Sequence, residues 1–293
     1  MIQTRLRICL FTLLLLLWAT ATRALAADVV IVGDTRLKPV LEIVSGVRSS
    51  LDASIKVFTP SEVKGRLAAV VRDEEAKVVV ALGREAIAAA MALPSVIPVI
   101  YDLVVTPLEI SRPNTTGCYM ATPVREYGDL IRNYLHSIKR VAVVGNRDQL
   151  KVLAKGESRQ MESYSVKSPV EFVNTVKRLD TADAILLLPD VSLLTNAALE
   201  EAYLLSFRKH IPLLGISERH VKEGALLALV VDPVTVGKQI GEYAAKAIRG
   251  ANIGQIPPSP PRKFELYLNT GTARKMGIHI PEEVVRMAKR VYQ

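Results

Sequence analysis

Polar groups stand wherever an apolar run ends in this chain, and their types suit holding a solute rather than breaking a bond. They are Asp34, Gly83-Arg84, Tyr101-Asp102, Asn146, Asp190, Ser217 and Asp232. Gly83 and Arg84 open the helical stretch REAIAAAMAL. Free N–H groups at a helix start, with a guanidinium beside them, suit a carboxylate. Asp190 and Asp232 could accept hydrogen bonds from an ammonium group, and Tyr101 and Tyr119 could offer ring faces. Asp102, Asn146 and Ser217 complete the candidate ligand contacts. Each has a plainer alternative. Asp190 precedes a helix and Asp232 precedes Pro233, so either can be a helix cap. The tyrosines can be core residues, and Arg84 a solvated first-turn side chain.

Catalytic and metal signatures are missing. GISER (215–219) has Arg219 where a nucleophile elbow needs its last Gly. GDTRLK (33–38) lacks dinucleotide-loop spacing, and no phosphate-loop motif occurs. His136, His210, His220 and His279 are scattered without ligand spacing, so neither a metal nor a cofactor is expected. Nothing in the chain demands an enzyme.

Composition narrows the class further. The chain has 293 residues and a formal charge of +9, or +6 without Arg5, Arg7 and Arg23. Lys and Arg are spread among Asp and Glu with no basic block interleaved with aromatics, so no nucleic-acid partner is expected. The start has Arg5 and Arg7, then the run ICLFTLLLLLWAT, then Ala24 and Ala26 in Ala-x-Ala spacing. That is the pattern of a cleavable signal peptide over residues 1–26, which places the protein in the periplasm or outside the cell. Cys9 lies in that segment, leaving Cys118 alone, so no internal disulfide can form. A lone Cys between Gly117 and Tyr119 is read as a small buried residue.

The elements that must position these groups alternate. Short runs rich in Val, Ile and Leu recur at 28–34, 54–60, 77–83, 97–102, 140–146, 184–190, 211–217 and 225–232. Weak alternation suits strands covered on both faces. Helical patterns lie between most of them. Ser168, Pro169 and Glu171 open one over 168–179. Another spans 192–210 with acids early and bases late. A third, over 234–250, ends at Gly250. Strand alternating with helix predicts α/β architecture with parallel sheets. NTTGCYMATP (114–123) breaks the pattern as a crossover, so two similar lobes are expected, and PPSPP (257–261) is a stiff extended connection. In such sheets ligands sit beyond the carboxyl ends of the strands, where the polar tips fall.

HIPLLGISERHVKEGALLALVVDPVTVGKQIGEYAAKAIRG, followed by KFELYLNTGTARKMGIHIPEEVVRMAK, resembles the exported ABC-transporter substrate-binding proteins related to tryptophan and tyrosine binders. The match includes the step from Val221 to Ala225, Val231-Asp232, Gly237, Gly250, Leu268-Asn269, Ala273 and Gly277 through Pro281. IPVIYDLVVTP (97–107), NTTG (114–117), RVAVVGN (140–146) and LLPD (187–190) fall where that family has corresponding strands and turns. The likeness covers roughly Val78 to Ala288. It implies a two-lobed type I periplasmic-binding-protein fold, each lobe a parallel sheet flanked by helices. Three hinge crossings are implied near 117–120, 231–232 and 261–264. The lobes would be 28–118 plus 232–261, and 119–231 plus 262–293. Asp232 would lie at a hinge.

The resemblance implies the solute-binding component of an ABC importer, a monomer that captures a small polar solute, amino-acid-like at its most specific. Its partners would be that small molecule and a membrane permease. The alternative is a sensor or adaptor of the same fold acting on a membrane receptor without transport. Departures from the family weaken any aromatic specificity. Gly83-Arg84-Glu85 stands for a usual Thr-Pro, Thr106-Pro107 for Asp-Pro, Pro233 for a Tyr, and Val191 for an Asn.

Overall fold

The computed structural model describes residues 27–155 and 160–293. The expected signal segment and Cys9 lie outside them. Among the described residues no helix is long and apolar enough to cross a membrane.

The apolar runs form strands in the expected order: β1 Val29–Val32, β2 Ile55–Phe58, β3 Val78–Leu82 and β4 Val99–Asp102. β1, β3 and β4 are buried along their whole length. The segment read as a break carries a further strand, β5 Thr115–Gly117, paired parallel to β4. Thr115 and Thr116 form it although no apolar run marks it, because β4 offers an open edge. Together these make a five-stranded parallel sheet in the order β2-β1-β3-β4-β5.

The second sheet has seven strands in the order β12-β11-β10-β9-β8-β6-β7. They are β6 Val141–Gly145, β7 Met161–Ser165, β8 Ala184–Leu187, β9 Leu213–Gly215, β10 Leu227–Val231, β11 Phe264–Asn269 and β12 Arg290–Tyr292. All pairings are parallel except β10 with β11.

The helices, in chain order, are α1 Lys38–Ser50, α2 Leu67–Asp73, α3 Arg84–Met91, α4 Val124–Tyr134, α5 Arg147–Leu153, α6 Pro169–Arg178, α7 Asn196–Lys209, α8 Glu218–Glu223, α9 Pro233–Ile248, α10 Thr270–Met276 and α11 Glu282–Met287. α6 starts as its sequence predicts. The Ser168 hydroxyl accepts from Glu171 N at 3.1 Å, and the Glu171 carboxylate reaches back to Lys167 N at 2.9 Å. All but the first four residues and the last of the expected 192–210 helix form α7. Its first turn is held off to Asn196 because the Thr195 side chain caps it, accepting from Ala198 N.

α1 and α9 lie against the first sheet. Val40, Ile43 and Val47 of α1 meet Val236, Ile240 and Ala244 of α9 over Val29, Ile31, Val80 and Ile100. α9 follows β10 of the second sheet, so the chain crosses between sheets there. It also crosses after β5, through Cys118 to Pro123, and before β11, through Pro260 to Lys263. The stiff PPSPP connection runs beside the first crossing: Ser259 N donates to Gly117 O at 3.1 Å and Tyr119 N to Ser259 O at 3.3 Å. Cys118 is buried there, a free thiol whose pKa burial pushes up.

Candidate functional site

Parallel strands share a direction, so their carboxyl ends share an edge. In the second sheet the order β10-β9-β8-β6 sets Asp232, Ser217, Asp190 and Asn146 side by side along that edge. In the first sheet β1, β3 and β4 end at Gly33-Asp34, Gly83 and Asp102. The three crossings join the two sheets.

Two neighbouring cavities lie among these crossings. One, of 400 Å³, is walled by two of the crossings, at Met120 to Thr122 and at Val230 with Val231 and Pro233, and by Leu103 to Val105 after β4. Pro39 closes it from the first sheet's side, and Pro189 and Ile216 from the second's. The other, of 320 Å³, continues over Asp190, Val191, Leu194, Gln149 and His220. Val105, Pro189 and Ile216 line both. Backbone pairing fixes the walls: Met120 N donates to Val104 O at 2.7 Å and Ala121 N to Val105 O at 3.1 Å. Leu103 turns the chain out of β4 with a φ of 60°, a conformation costly for a branched side chain.

Most polar tips of the second sheet are engaged locally. Asn146 Oδ1 accepts from Asp148 N and Gln149 N, capping α5, and its Nδ2 donates to Asp190 Oδ2 at 2.6 Å. Ser217 caps α8, accepting from His220 N at 3.2 Å. Asp232 caps α9, accepting from Val234 N, from Thr235 N and, at 2.6 Å, from the Thr235 hydroxyl. Burial pushes its carboxyl pKa up, but those bonds outweigh it and hold the group below the usual range.

Asp190 alone of the expected contacts lines one of the two cavities. Its Oδ1 accepts from Ser192 N at 2.8 Å and Ser192 Oγ at 2.6 Å. Burial pushes its pKa up, yet the bonds from Ser192 and Asn146 prevail and keep it ionised. His220 borders the same cavity. Burial lowers its pKa, and its Nδ1 accepts from Ile216 N at 3.4 Å.

The first sheet's candidates sit differently. Gly83 has φ 89° and starts α3 without a side-chain cap, and Arg84 is exposed beside it. Tyr101 is buried in the first sheet's core, its hydroxyl accepting from Leu108 N at 3.2 Å. Asp102 is fully buried, on the same strand face as Ile100. Neither of its carboxylate oxygens has a hydrogen-bond partner. Burial raises its pKa to about 7, against a smaller pull from the Leu103 N–H, which falls short of hydrogen-bond geometry. Tyr119 is also buried.

The apolar wall residues carried no sequence signal, since Leu103, Val105, Met120 and Ile216 look like any strand-end hydrophobics. A larger cavity of 570 Å³ lies between α7 and α8, lined by Leu199, Tyr203 and Arg219. It draws on helices of one sheet only and is separate from the crossings.

Two sheets, three crossings and a cavity enclosed between them define the two-lobed type I periplasmic-binding-protein fold. Solved structures share it. A ligand-free, open substrate-binding protein with adhesive properties from Clostridium difficile superposes with a TM-score of 0.66 at 14% identity, covering 91% of this chain and 99% of that one. A conserved domain protein from Vibrio cholerae gives 0.57 at 19% identity, covering 91% and 99%. A Streptococcus domain in complex with L-Trp gives 0.53 at 18% identity, covering 90% and 99%. These likenesses establish the fold alone. The chain belongs to the ABC transporter substrate binding protein family, whose profile it matches over residues 45–292. It is also 21% identical over 197 residues to a tyrosine-binding protein of Clostridioides difficile, a match spanning 61% of this chain and 57% of that protein's length.

Proposed function

We propose that this protein is the exported solute-binding component of an ABC importer, which captures a small solute between its two lobes and presents the closed form to a membrane permease. We take the lobes as 28–118 plus 232–261, and 119–231 plus 262–293. The observation that carries the reading is the cavity among the crossings, walled from both lobes, with the ionised Asp190 on its border. A solute touching Leu103 or Pro39 on one side and Pro189 or Ile216 on the other is buried only when the lobes approach. Binding energy then favours the closed arrangement. Asp190 accepts from a donor-bearing head such as an ammonium, and the uncapped start of α3 at Gly83-Arg84, which lines neither cavity in this arrangement, becomes the seat for a carboxylate only as the lobes close. An amino-acid-like solute satisfies both.

A thermal-shift screen of the purified protein against amino acids, purines and small peptides tests this. A solute that binds the closed form raises Tm at concentrations above its Kd. A protein whose melting no solute moves would remove solute capture.

A further inference from the structure

The walls of the cleft restrict the class of solute further than capture alone, and this step rests on the reading above. Leu103, Val104, Val105, Met120, Ile216 and Val231 line the 400 Å³ cavity, and Val105 and Ile216 line the smaller one as well. All are saturated and most are branched. Among the described residues no Phe, Tyr or Trp lines either cavity. The two tyrosines that the sequence offered as ring faces, Tyr101 and Tyr119, are buried, and the Tyr101 hydroxyl is already bonded to Leu108 N. Three polar tips that would serve a hydroxyl-rich ligand, Asn146, Ser217 and Asp232, are engaged as helix caps. The Thr122 hydroxyl, also at the wall, donates to Leu229 O at 2.9 Å.

We infer that the cleft selects an amino-acid-like solute with a branched saturated side chain, of the leucine or isoleucine kind, over aromatic and polyhydroxyl solutes. The physical reason is complementarity. Each hydroxyl of a polyol buried here would lose its water partners and find few replacements. In the 400 Å³ cavity an aromatic ring would meet no Phe, Tyr or Trp for edge or stacked contact, and a phenol or indole donor would find among the side chains only the Thr122 hydroxyl; Asp190, Gln149 and His220 line the smaller cavity, where the polar head is held. A branched aliphatic body loses nothing polar and gains contact with Val, Leu, Ile and Met. Met120, unbranched and adaptable, lets the wall follow small differences of shape. The two cavities, at 400 and 320 Å³, are each within the usual size of small-molecule sites.

The test is calorimetry and thermal shift of the purified protein with L-leucine, L-isoleucine, L-tyrosine, L-tryptophan and myo-inositol, each alone. These amino acids share one head and differ in the body, so the comparison reads the walls. Leucine or isoleucine is expected to bind at least tenfold more tightly than tyrosine or tryptophan, and myo-inositol not to raise Tm. Val105→Asp places a charge on the wall at a residue that is 43% exposed, where the fold tolerates it. That variant is expected to melt as the parent does without solute and to lose the leucine response. Tyrosine, tryptophan or inositol binding as tightly as leucine overturns the inference and leaves solute capture standing. Leucine binding that survives Val105→Asp also overturns it, by placing the aliphatic body elsewhere. No response to any of the five overturns it as well; if the broader solute screen is then also silent, solute capture falls with it.

Discussion

Gly46 of α1 and Gly237 of α9 meet backbone to backbone. A Cβ built on Gly46 would stand 2.8 Å from Gly237 Cα and collide with Val234 O, and one built on Gly237 would collide with Ile43 O. The two helices therefore cross at a distance only glycine permits. α9 is the segment that returns from the second sheet at Asp232, so this crossing fastens the returning chain to the first lobe.

Gly237→Ala is expected to push α9 off α1 and to cost about 1–3 kcal/mol, the usual range for overpacking a close contact. Urea unfolding measures it. A variant as stable as the parent would mean that the helices can separate without loss.

Asp102 ties stability to pH in an unusual direction. Its folded pKa, about 7, lies above the ordinary carboxyl value of 3.8 because burial disfavours the charge. An acid raised in the folded state is protonated there while the unfolded chain is ionised, so its contribution is full below about pH 4. It falls as pH rises to about 7, by about 4 kcal/mol at the extreme. The titratable neighbours whose pKa values feel its charge, Tyr101 and Cys118, are buried and shifted upward, so neither charges in this window. Asp102→Asn is expected to remove this slope and to raise Tm most at pH 8. Chemical denaturation of both proteins at pH 5 and pH 8 checks it, and equal slopes would contradict it.

Asp232 works in the opposite sense. Its folded pKa is depressed, so the stability it adds is present above the unfolded value and is lost as pH falls through the folded one. Asp232→Ala leaves the N–H groups of Val234 and Thr235 without their acceptor, at about 1 kcal/mol for a lost cap. Asp232→Asn should recover most of it. Thermal melts at pH 7 compare the three.

Asp190→Ala is expected to weaken ligand-induced thermal stabilisation several-fold while the unliganded Tm changes far less, because Ser192 and the exposed loop it holds can turn to water. Unchanged ligand affinity would take Asp190 out of the site.

Tyr127 holds the floor under the cleft. Its buried hydroxyl donates to Gly215 O at 2.7 Å and accepts from Leu229 N at 3.1 Å, joining α4 to β9 and β10. Those strands carry Ile216 and Val230 into the cavity. Tyr127→Phe strands both backbone groups and should cost about 1–3 kcal/mol, read from denaturant midpoints.

Much of the architecture was readable from residue order. The Val-rich runs at 28–34, 77–83 and 140–146 became fully buried strands, because strands covered on both faces need unbroken apolar stretches. Ser168 and Pro169 marked a helix start through chemistry confined to one turn. β5, β7 and β12 left no such mark. MESYS in β7 is mostly exposed and TTG in β5 is three residues long, so both depend on a neighbouring strand's open edge rather than on their own composition.

The polar strand tips show the same division at the site. The sequence alone placed Asn146, Asp190, Ser217 and Asp232 at strand ends, since an apolar run must stop where water or a helix begins. Whether each faces a solute or a backbone N–H depends on distances of about 3 Å between groups that can be far apart in sequence, such as Asn146 and Asp190. Folding gave most of these tips to helix caps, and it brought Leu103, Val105, Met120, Ile216 and Val231 from separate segments to one wall. Hydrophobic packing has no sequence periodicity across such distances, so that wall exists only once the crossings have drawn both sheets together.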